Sequence, residues 1–150
     1  KWQHESGSWF QLLQYDETTT GNGEGDLASN GKKYNVGYKP NYLESSASGM
    51  FTYAYLKGIR LGLLDKETYL PIAKKAYQGM LDNFITENPD GSINIIQSCA
   101  SAGLGPASDL SRTGTINYYL CGKDTGITQN EGKAIGSFTL ASCEWERLQK

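Results

Sequence analysis

The chain has 150 residues, enough for one domain with a real core, and carries 16 acidic residues, 14 basic residues and one histidine for a net charge of −2. No Lys/Arg cluster runs along one face, which argues against nucleic acid as a partner, because phosphate binding draws on concentrated positive charge. No apolar run reaches the ~18 residues of a membrane-spanning helix.

The opening Lys1-Trp2, without Met, reads as the start of a processed or truncated product. No signal peptide is visible, and one removed by processing would leave no trace, so cytoplasmic and exported locations both stay open. From Ser8 to Tyr15, Trp9, Phe10, Leu12 and Leu13 suggest a short amphipathic helix. The glycine-rich stretch 16–40 has almost no apolar periodicity and reads as a long loop, of the kind that is functional or mobile in compact domains. Asp16, Glu24 and Asp26 in it miss the spacing of a calcium loop and read as a solvated acidic segment.

Asn41-Tyr-Leu-Glu-Ser-Ser-Ala-Ser-Gly-Met-Phe51 is the most informative stretch. Ser45 or Ser46 is suited to cap a helix running to about Leu64, and Ala47, Met50, Phe51, Ala54, Tyr55, Ile59, Leu61 and Leu63 make that helix apolar on most sides. Such a helix is expected to be buried on most sides, with a polar mouth of Tyr42, Glu44, Ser45, Ser46 and Ser48. After Asp65 a third helix places Tyr69, Ile72, Ala73, Ala76, Tyr77, Met80, Leu81 and Phe84 at spacings of three and four. Its other face holds Lys74, Lys75, Gln78 and Asp82, so it is expected outside the preceding helix.

Asn88-Pro-Asp-Gly91 marks a turn. The weak alternation in Ser92–Ser98 suggests a short hairpin-like pairing with Thr115–Leu120. Gly103-Leu-Gly-Pro106 lacks the Lys and the strand–helix setting of a phosphate loop. A fourth helix is expected over about Lys133–Gln149, with Ala134, Ile135, Phe138, Ala141, Trp145 and Leu148 on one stripe. Cys99, Cys121 and Cys143 form no CxxC pair and read as free, partly buried thiols, and with a single histidine no zinc site is expected. A Ser–His–Asp triad built on His4 has no supporting spacing.

Alternating inner apolar and outer amphipathic helices suggest an α/α barrel or a helical repeat. Several blocks make the likeness specific. Asn41–Leu64, then Tyr69–Ile85, then the Cys-x-x-Ala-Gly-Leu-Gly run at Cys99–Gly105 resemble the C-terminal part of the unsaturated glucuronyl and rhamnogalacturonyl hydrolases, glycoside hydrolase family 105, related to family 88. Ser6–Leu13 resembles that family's Ser-Gly-Leu-Trp-Tyr-Gln-Val-Leu block, and Thr113–Tyr119 and Gly132–Phe138 resemble its last two blocks in the same order. One departure is the stretch Asp16–Lys39, longer than the family's usual short turn.

The resemblance implies an all-α fold, an (α/α)6 barrel of six hairpins, here with short β-hairpin-like segments. Twelve helices of about 11–12 residues with their loops need on the order of 200 residues. Residues 1–150 are therefore expected to be a C-terminal piece of one barrel domain, with a missing N-terminal part or self-association covering its apolar flanks. The implied chemistry is release of a 4,5-unsaturated uronic acid from the non-reducing end of lyase-generated oligosaccharides, with no cofactor and no metal. An Asp acid protonates the vinyl ether carbon, water adds at C5, and the resulting hemiketal opens to free the neighbouring sugar, unlike the two-carboxylate displacement of ordinary glycosidases. The family's catalytic Asp residues lie on earlier helices, so none is carried over here and the piece alone is expected to be inactive. A non-catalytic carbohydrate-binding or helical scaffold piece is the alternative.

Candidate substrate contacts are Trp9, for stacking on a sugar or as a core residue; Tyr42, Glu44 and Ser45, for sugar hydroxyls or for organising the helix mouth; His4, for hydrogen bonding or as a surface residue; and Lys133, for a carboxylate or as a solvated lysine. Helix N-termini favour anions such as a uronate.

Overall fold

The computed structural model describes residues 1–22, 24–27, 33–35, 38–104, 108, 112–122 and 125–150. In chain order the elements are β1 (Thr20–Gly21), β2 (Glu24–Leu27), β3 (Lys33–Asn35), β4 (Lys39–Pro40), α1 (Ser45–Arg60), α2 (Lys66–Phe84), β5 (Ile85–Glu87), β6 (Ile93–Ile95), β7 (Ser98–Cys99), α3 (Ile116–Cys121), β8 (Ile127–Thr128) and α4 (Gly132–Gln149). They divide into two compact units, one of residues 1–9, 43–98 and 128–150, the other of residues 10–42 and 99–127. Among the described residues no helix is long and apolar enough to cross a membrane.

The first unit is helical. Asp65 starts α2 by accepting a hydrogen bond from Thr68 N at 2.7 Å. Gly62, at φ +70°, ends α1 four residues earlier than periodicity alone suggests, and Leu63 N bonds back to Gly58 O at 2.9 Å. The face of α1 turned inward is small and polar rather than apolar. Ser45, Ser46, Ser48, Gly49, Thr52 and Gly58 are buried beside Leu56 and Ile59, while Met50 and Ala54 are exposed. The expectation of an apolar helix buried on most sides is corrected accordingly. Close packing explains the choice of residues: a Cβ on Gly49 would lie 2.3 Å from Ser137 Oγ on α4.

Two apolar clusters fill this unit. Met80, Phe84, Ile95, Ala134, Phe138 and Ala141 form one; Leu56, Ile59 and Ala73 form the other, with Tyr77 and Trp145 packed at its side. Tyr77 and Trp145 stack at 4.7 Å, and Tyr77 Oη lies 3.2 Å from Ser142 Oγ, which ties α2 to α4. On α2, Lys74, Lys75, Gln78 and Asp82 are exposed, in keeping with its amphipathic pattern. β5 and β6 pair antiparallel, Ile85 opposite Ile95 and Glu87 opposite Ile93.

Two expected elements are corrected. Residues 8–15 are not a helix. Gly7, at φ +94°, sets the chain across α2 so closely that a Cβ on Gly79 would stand 2.3 Å from Ser6 O, and the short segment gains more from such contacts than from a marginal helix. Thr115–Leu120 does not pair with Ser92–Ser98 either. Thr115 Oγ1 accepts from Tyr118 N at 3.1 Å and starts α3, while Ile93–Ile95 is taken up by β5.

The second unit turns the expected long loop into ladders. β1 pairs with β4, Thr20 opposite Pro40 and Gly21 opposite Lys39, and β2 pairs with β3 inside that pair in sequence. Asn41 anchors the return. Its Nδ2 donates to Leu12 O at 3.2 Å and Tyr15 O at 3.1 Å, its Oδ1 accepts from Leu12 N at 3.1 Å, and its N donates to Thr19 O at 2.7 Å. Gly21 lies against α3, where a Cβ would meet Cys121 Sγ at 2.3 Å.

Gly79→Ala is expected to lower stability by about 2 kcal/mol or more, because backbone has to yield. Gly136→Ala on α4, where a Cβ meets nothing within 4 Å, is expected to raise it by about 0.5–1 kcal/mol. Urea denaturation midpoints of the two variants check both signs.

Candidate functional site

The mouth of α1 is organised by Glu44 rather than by a serine. Glu44 sits at φ −108°, ψ 122°, and Ala47 N donates to its Oε2 at 2.6 Å. Ser46 Oγ lies 2.9 Å and 3.0 Å from its two carboxylate oxygens. The carboxylate is 2% exposed, so a buried anion is matched to backbone and hydroxyl donors at the positive end of a helix dipole. Ser45, expected as a cap, caps nothing. Its N donates to Gln97 O at 2.9 Å, and its Oγ, like that of Ser98, is buried without a hydrogen-bond partner among the described residues.

Trp9 joins the same mouth. Its carbonyl accepts from Glu44 N at 2.8 Å and its N donates to Ser48 Oγ at 3.0 Å. The indole, 5% exposed, meets Phe51 edge-on at 5.2 Å and Tyr55 in a stack at 6.2 Å; Tyr55 stacks in turn on Tyr69 at 5.8 Å. Trp9, Glu44 and Ser45 therefore come together within the first unit.

His4 and Lys133 lie elsewhere in it. His4 Nδ1 is 2.9 Å from Ser6 Oγ and accepts from Ser6 N at 3.2 Å, inside the N-terminal turn. Lys133 Nζ lies 3.4 Å from Glu131 Oε2 at the start of α4, both side chains about one-third exposed. Tyr42 belongs to the second unit, where its carbonyl accepts from Gln11 N at 2.8 Å.

The side chains of Glu24 and Asp26 lie outside the described residues, as do Gly105 and Pro106. Asp16 Oδ1 accepts from Thr18 N at 3.0 Å and from the Thr18 hydroxyl, and these bonds hold its carboxyl below the usual range. Among the described residues no group of three His, Cys, Asp or Glu is placed to hold a metal.

A charge cluster around one buried carboxylate, with both arginines reaching it from the surface, closes the far end of α1. Arg60 Nη2 donates to Glu144 Oε1 at 3.0 Å, Arg60 Nε donates to Glu144 Oε2, and Arg147 Nη1 reaches Glu144 Oε1 at 2.8 Å. The hydrogen bond from Arg60 is the largest cause holding the Glu144 carboxyl below the ordinary glutamate range, against desolvation, which acts the other way.

Two cavities stand out. One of about 680 Å³ opens in the first unit between α2, the β5/β6 pair and α4, with Leu81, Ile85, Ile93, Ile95, Ile135 and Phe138 on its walls. Its only carboxylate among the described lining is Glu146, so it offers no acid–base pair. A smaller one, about 280 Å³, lies in the second unit between β4 and α3.

The profile of Glycosyl Hydrolase Family 88 matches residues 34–149. The chain belongs to that family. Among known structures it is similar to a family 105 glycoside hydrolase from C. acetobutylicum ATCC 824, with 36% identity and a TM-score of 0.73 over 97% of this chain and 34% of the other. It is 32% identical over 145 residues to Protein Atu3128 of Agrobacterium fabrum, covering 95% of this chain and 52% of that protein. It is also 32% identical over 82 residues to the unsaturated 3S-rhamnoglycuronyl hydrolase of Formosa agariphila, covering 54% of this chain and 21% of that protein. This family 88 chain thus spans about half the length of Atu3128 and about a third of the clostridial enzyme. The family placement and the relation to unsaturated uronyl hydrolases agree with the sequence blocks.

Sequence reasoning found the α1 mouth but not the Glu144 cluster or the smaller cavity. Arg60 and Glu144 are 84 residues apart, and the cavity draws on residues 39–42 and 120–127, so no local signal marks either.

Ser48→Ala, which strands the Trp9 N–H inside the unit, is expected to cost about 1–3 kcal/mol. Ser45→Ala and Ser98→Ala, which remove hydroxyls with no hydrogen-bond partner among the described residues, are expected to be neutral or stabilising; thermal melts of the three variants make the comparison. For Glu144, the folded pKa lies below the unfolded one, so the stabilisation is whole above the ordinary glutamate range. It is lost as pH falls below that range through the depressed folded value. Glu144→Gln is accordingly expected to lower the urea midpoint clearly at about pH 7 and far less at about pH 3.

Proposed function

We propose that this chain is part of an unsaturated uronyl hydrolase, acting on the 4,5-unsaturated uronic acid that lyases leave at the non-reducing end of oligosaccharides. The observation that carries the reading is family 88 membership over residues 34–149 together with likeness to a protein named as an unsaturated rhamnoglycuronyl hydrolase. The reaction in this reading is hydration of the vinyl ether: a proton adds to C4, water adds to C5, and the hemiketal so formed opens and releases the neighbouring sugar. The acid is assigned to a part of the longer polypeptide outside these 150 residues, and this piece is assigned no catalytic group.

The (α/α)6 barrel belongs to the same proposal. The 34% coverage of the clostridial chain supports it, since two-thirds of that chain is left to supply the remaining hairpins. The 680 Å³ groove between α2 and α4 is the natural seat for them. Leu81, Ile93 and Ile135 on its walls are 39%, 59% and 45% exposed, an apolar patch that calls for a cover. Trp9, Glu44 and Ser45 are assigned the task of fixing the start of α1, whose positive end the Glu44 carboxylate itself occupies. His4 and Lys133 are assigned local support of the N-terminal turn and of α4.

The test follows the absorbance of the unsaturated uronate double bond in lyase-generated disaccharides. The full gene product is expected to bleach it and the 150-residue chain alone is not. Bleaching by neither, across pectin-, ulvan- and glycosaminoglycan-derived substrates, would overturn the reading in favour of a non-catalytic carbohydrate-binding piece.

A further inference from the structure

The turn between β5 and β6 carries a run of side-chain hydrogen bonds that the reading above leaves unused. It begins at the Ile95 N–H, which donates to Asn130 Oδ1 at 2.9 Å. Asn130 Nδ2 donates to Asn94 Oδ1 at 2.8 Å, Asn94 Nδ2 to Asn88 Oδ1 at 3.0 Å, and Asn88 Nδ2 to Ser92 Oγ at 2.9 Å. Ser92 Oγ then donates to Asp90 Oδ1 at 2.6 Å, and Ser92 N donates to the same oxygen at 3.0 Å.

Every link points the same way, and the two ends force that direction. A backbone N–H can only donate, and an ionised carboxylate can only accept. Each carboxamide between them therefore turns its oxygen toward Ile95 and its nitrogen toward Asp90. Bonds aligned head to tail polarise one another, by about 10–30% per bond. Here the last acceptor is an anion, which makes the stronger kind of bond. The Ser92 hydroxyl, and after it the Ser92 N–H, hold the Asp90 carboxyl below the usual aspartate range.

The other end of the run is a clamp. Asn130 precedes α4 at φ +58°, a conformation that asparagine adopts more readily than most residues. Its N–H donates to Ile95 O at 2.8 Å while its Oδ1 takes the Ile95 N–H, so one residue grips both backbone groups of Ile95. Ile93, Ile95 and Asn130 all line the groove of about 680 Å³. The clamp thus ties β6, one wall of that groove, to the start of α4, the other.

We propose that this run is a conformational coupling device: the Asp90 charge, out on the turn, sets how firmly Asn130 holds the β6 wall of the groove to the start of α4. Protonation of Asp90 replaces an anionic acceptor by a neutral one, and the bonds behind it weaken in order, so the wall loosens in acid. The folded carboxyl titrates below its unfolded value, so the grip is whole above the ordinary aspartate range. It is lost as pH falls through the depressed folded value. The charged groups on the neighbouring elements are Glu87 on β5 and Glu131, Lys133 and Glu146 at or on α4. None of them is among the causes acting on Asp90.

The experiment follows the carboxamide protons of Asn88, Asn94 and Asn130 by NMR as the 150-residue chain is taken from about pH 7 to about pH 3. All three are expected to shift with one midpoint, most at Asn88 and least at Asn130. Asp90→Asn keeps an acceptor at the exposed turn without the charge. It is expected to abolish the step and to speed exchange of the Ile95 amide about two- to fivefold at about pH 7. Asn94→Ala, which cuts the run, is expected to speed that exchange by itself and to cancel any further effect of Asp90→Asn, the non-additivity that marks coupling. Glu87→Gln and Glu131→Gln are expected to leave the step in place. Carboxamides that do not move with Asp90, an unchanged Ile95 rate in Asp90→Asn, or an equal effect of Asp90→Asn with the run cut would overturn the device. So would a step that Glu87→Gln or Glu131→Gln removes. Asp90→Asn decides the matter alone if Asn94→Ala fails to fold.

Discussion

The close approach of α1 to α4 is the constraint on which the first unit depends. It is possible because Gly49 presents no side chain to Ser137; a Cβ would stand 2.3 Å from the serine oxygen. At the other end of α1, Arg60 reaches Glu144, a carboxylate 2% exposed. A buried carboxylate is tolerable only when donors meet its oxygens, and Arg60 and Arg147 supply them. Register and separation of the two helices are therefore set at two points, one steric and one electrostatic. Ala134, Phe138 and Ala141 then fall against Met80 and Phe84.

The same economy of volume recurs where the N-terminal segment crosses α2. Gly7 and Gly79 meet backbone to backbone, and this contact takes the place of the short helix that Trp9, Phe10, Leu12 and Leu13 suggest. With the segment seated, Trp9 bonds Ser48 and Glu44, and its ring starts the row that runs through Tyr55 to Tyr69. The backbone N–H groups of Glu44 and Ser45 and the Ser48 hydroxyl find partners outside the helix, while the Glu44 carboxylate is met by Ala47 N and Ser46 Oγ within it. This is why serines and a glutamate sit where an ordinary buried helix would carry aliphatic side chains.

The second unit is organised on a different principle. Neither apolar cluster of the first unit extends into it, and among its described residues the two-strand pairs and the hydrogen bonds of one asparagine tie distant segments together. Asn41 draws together Leu12, Tyr15 and Thr19, three points of chain that precede it by more than twenty residues. A frame of that kind leaves a concave face beside α3.

The amphipathic period of α2 and the stripe of α4 were legible from local spacing, because burial on one side of a helix repeats every three to four residues whatever it packs on. Family membership was legible too, since it rests on ordered blocks of residues rather than on geometry. The identity of the α1 cap was not. Serine and glutamate both accept from backbone N–H groups, and only the position of Gln97 and the fold of the mouth chose Glu44. The inward face of α1 was misread because small residues are buried by the nearness of a neighbour, and nearness is no property of a single helix. Thr115–Leu120 became a helix through one side-chain bond, to Tyr118 N, which weak alternation cannot reveal. The Arg60–Glu144 pair and the Lys39 cavity join residues far apart in the chain. Local propensity and hydrophobic period are sums over neighbours in sequence, and they settled the main helices and the family. Contacts between distant segments are settled only when the chain closes on itself, and those were decided by the tertiary structure.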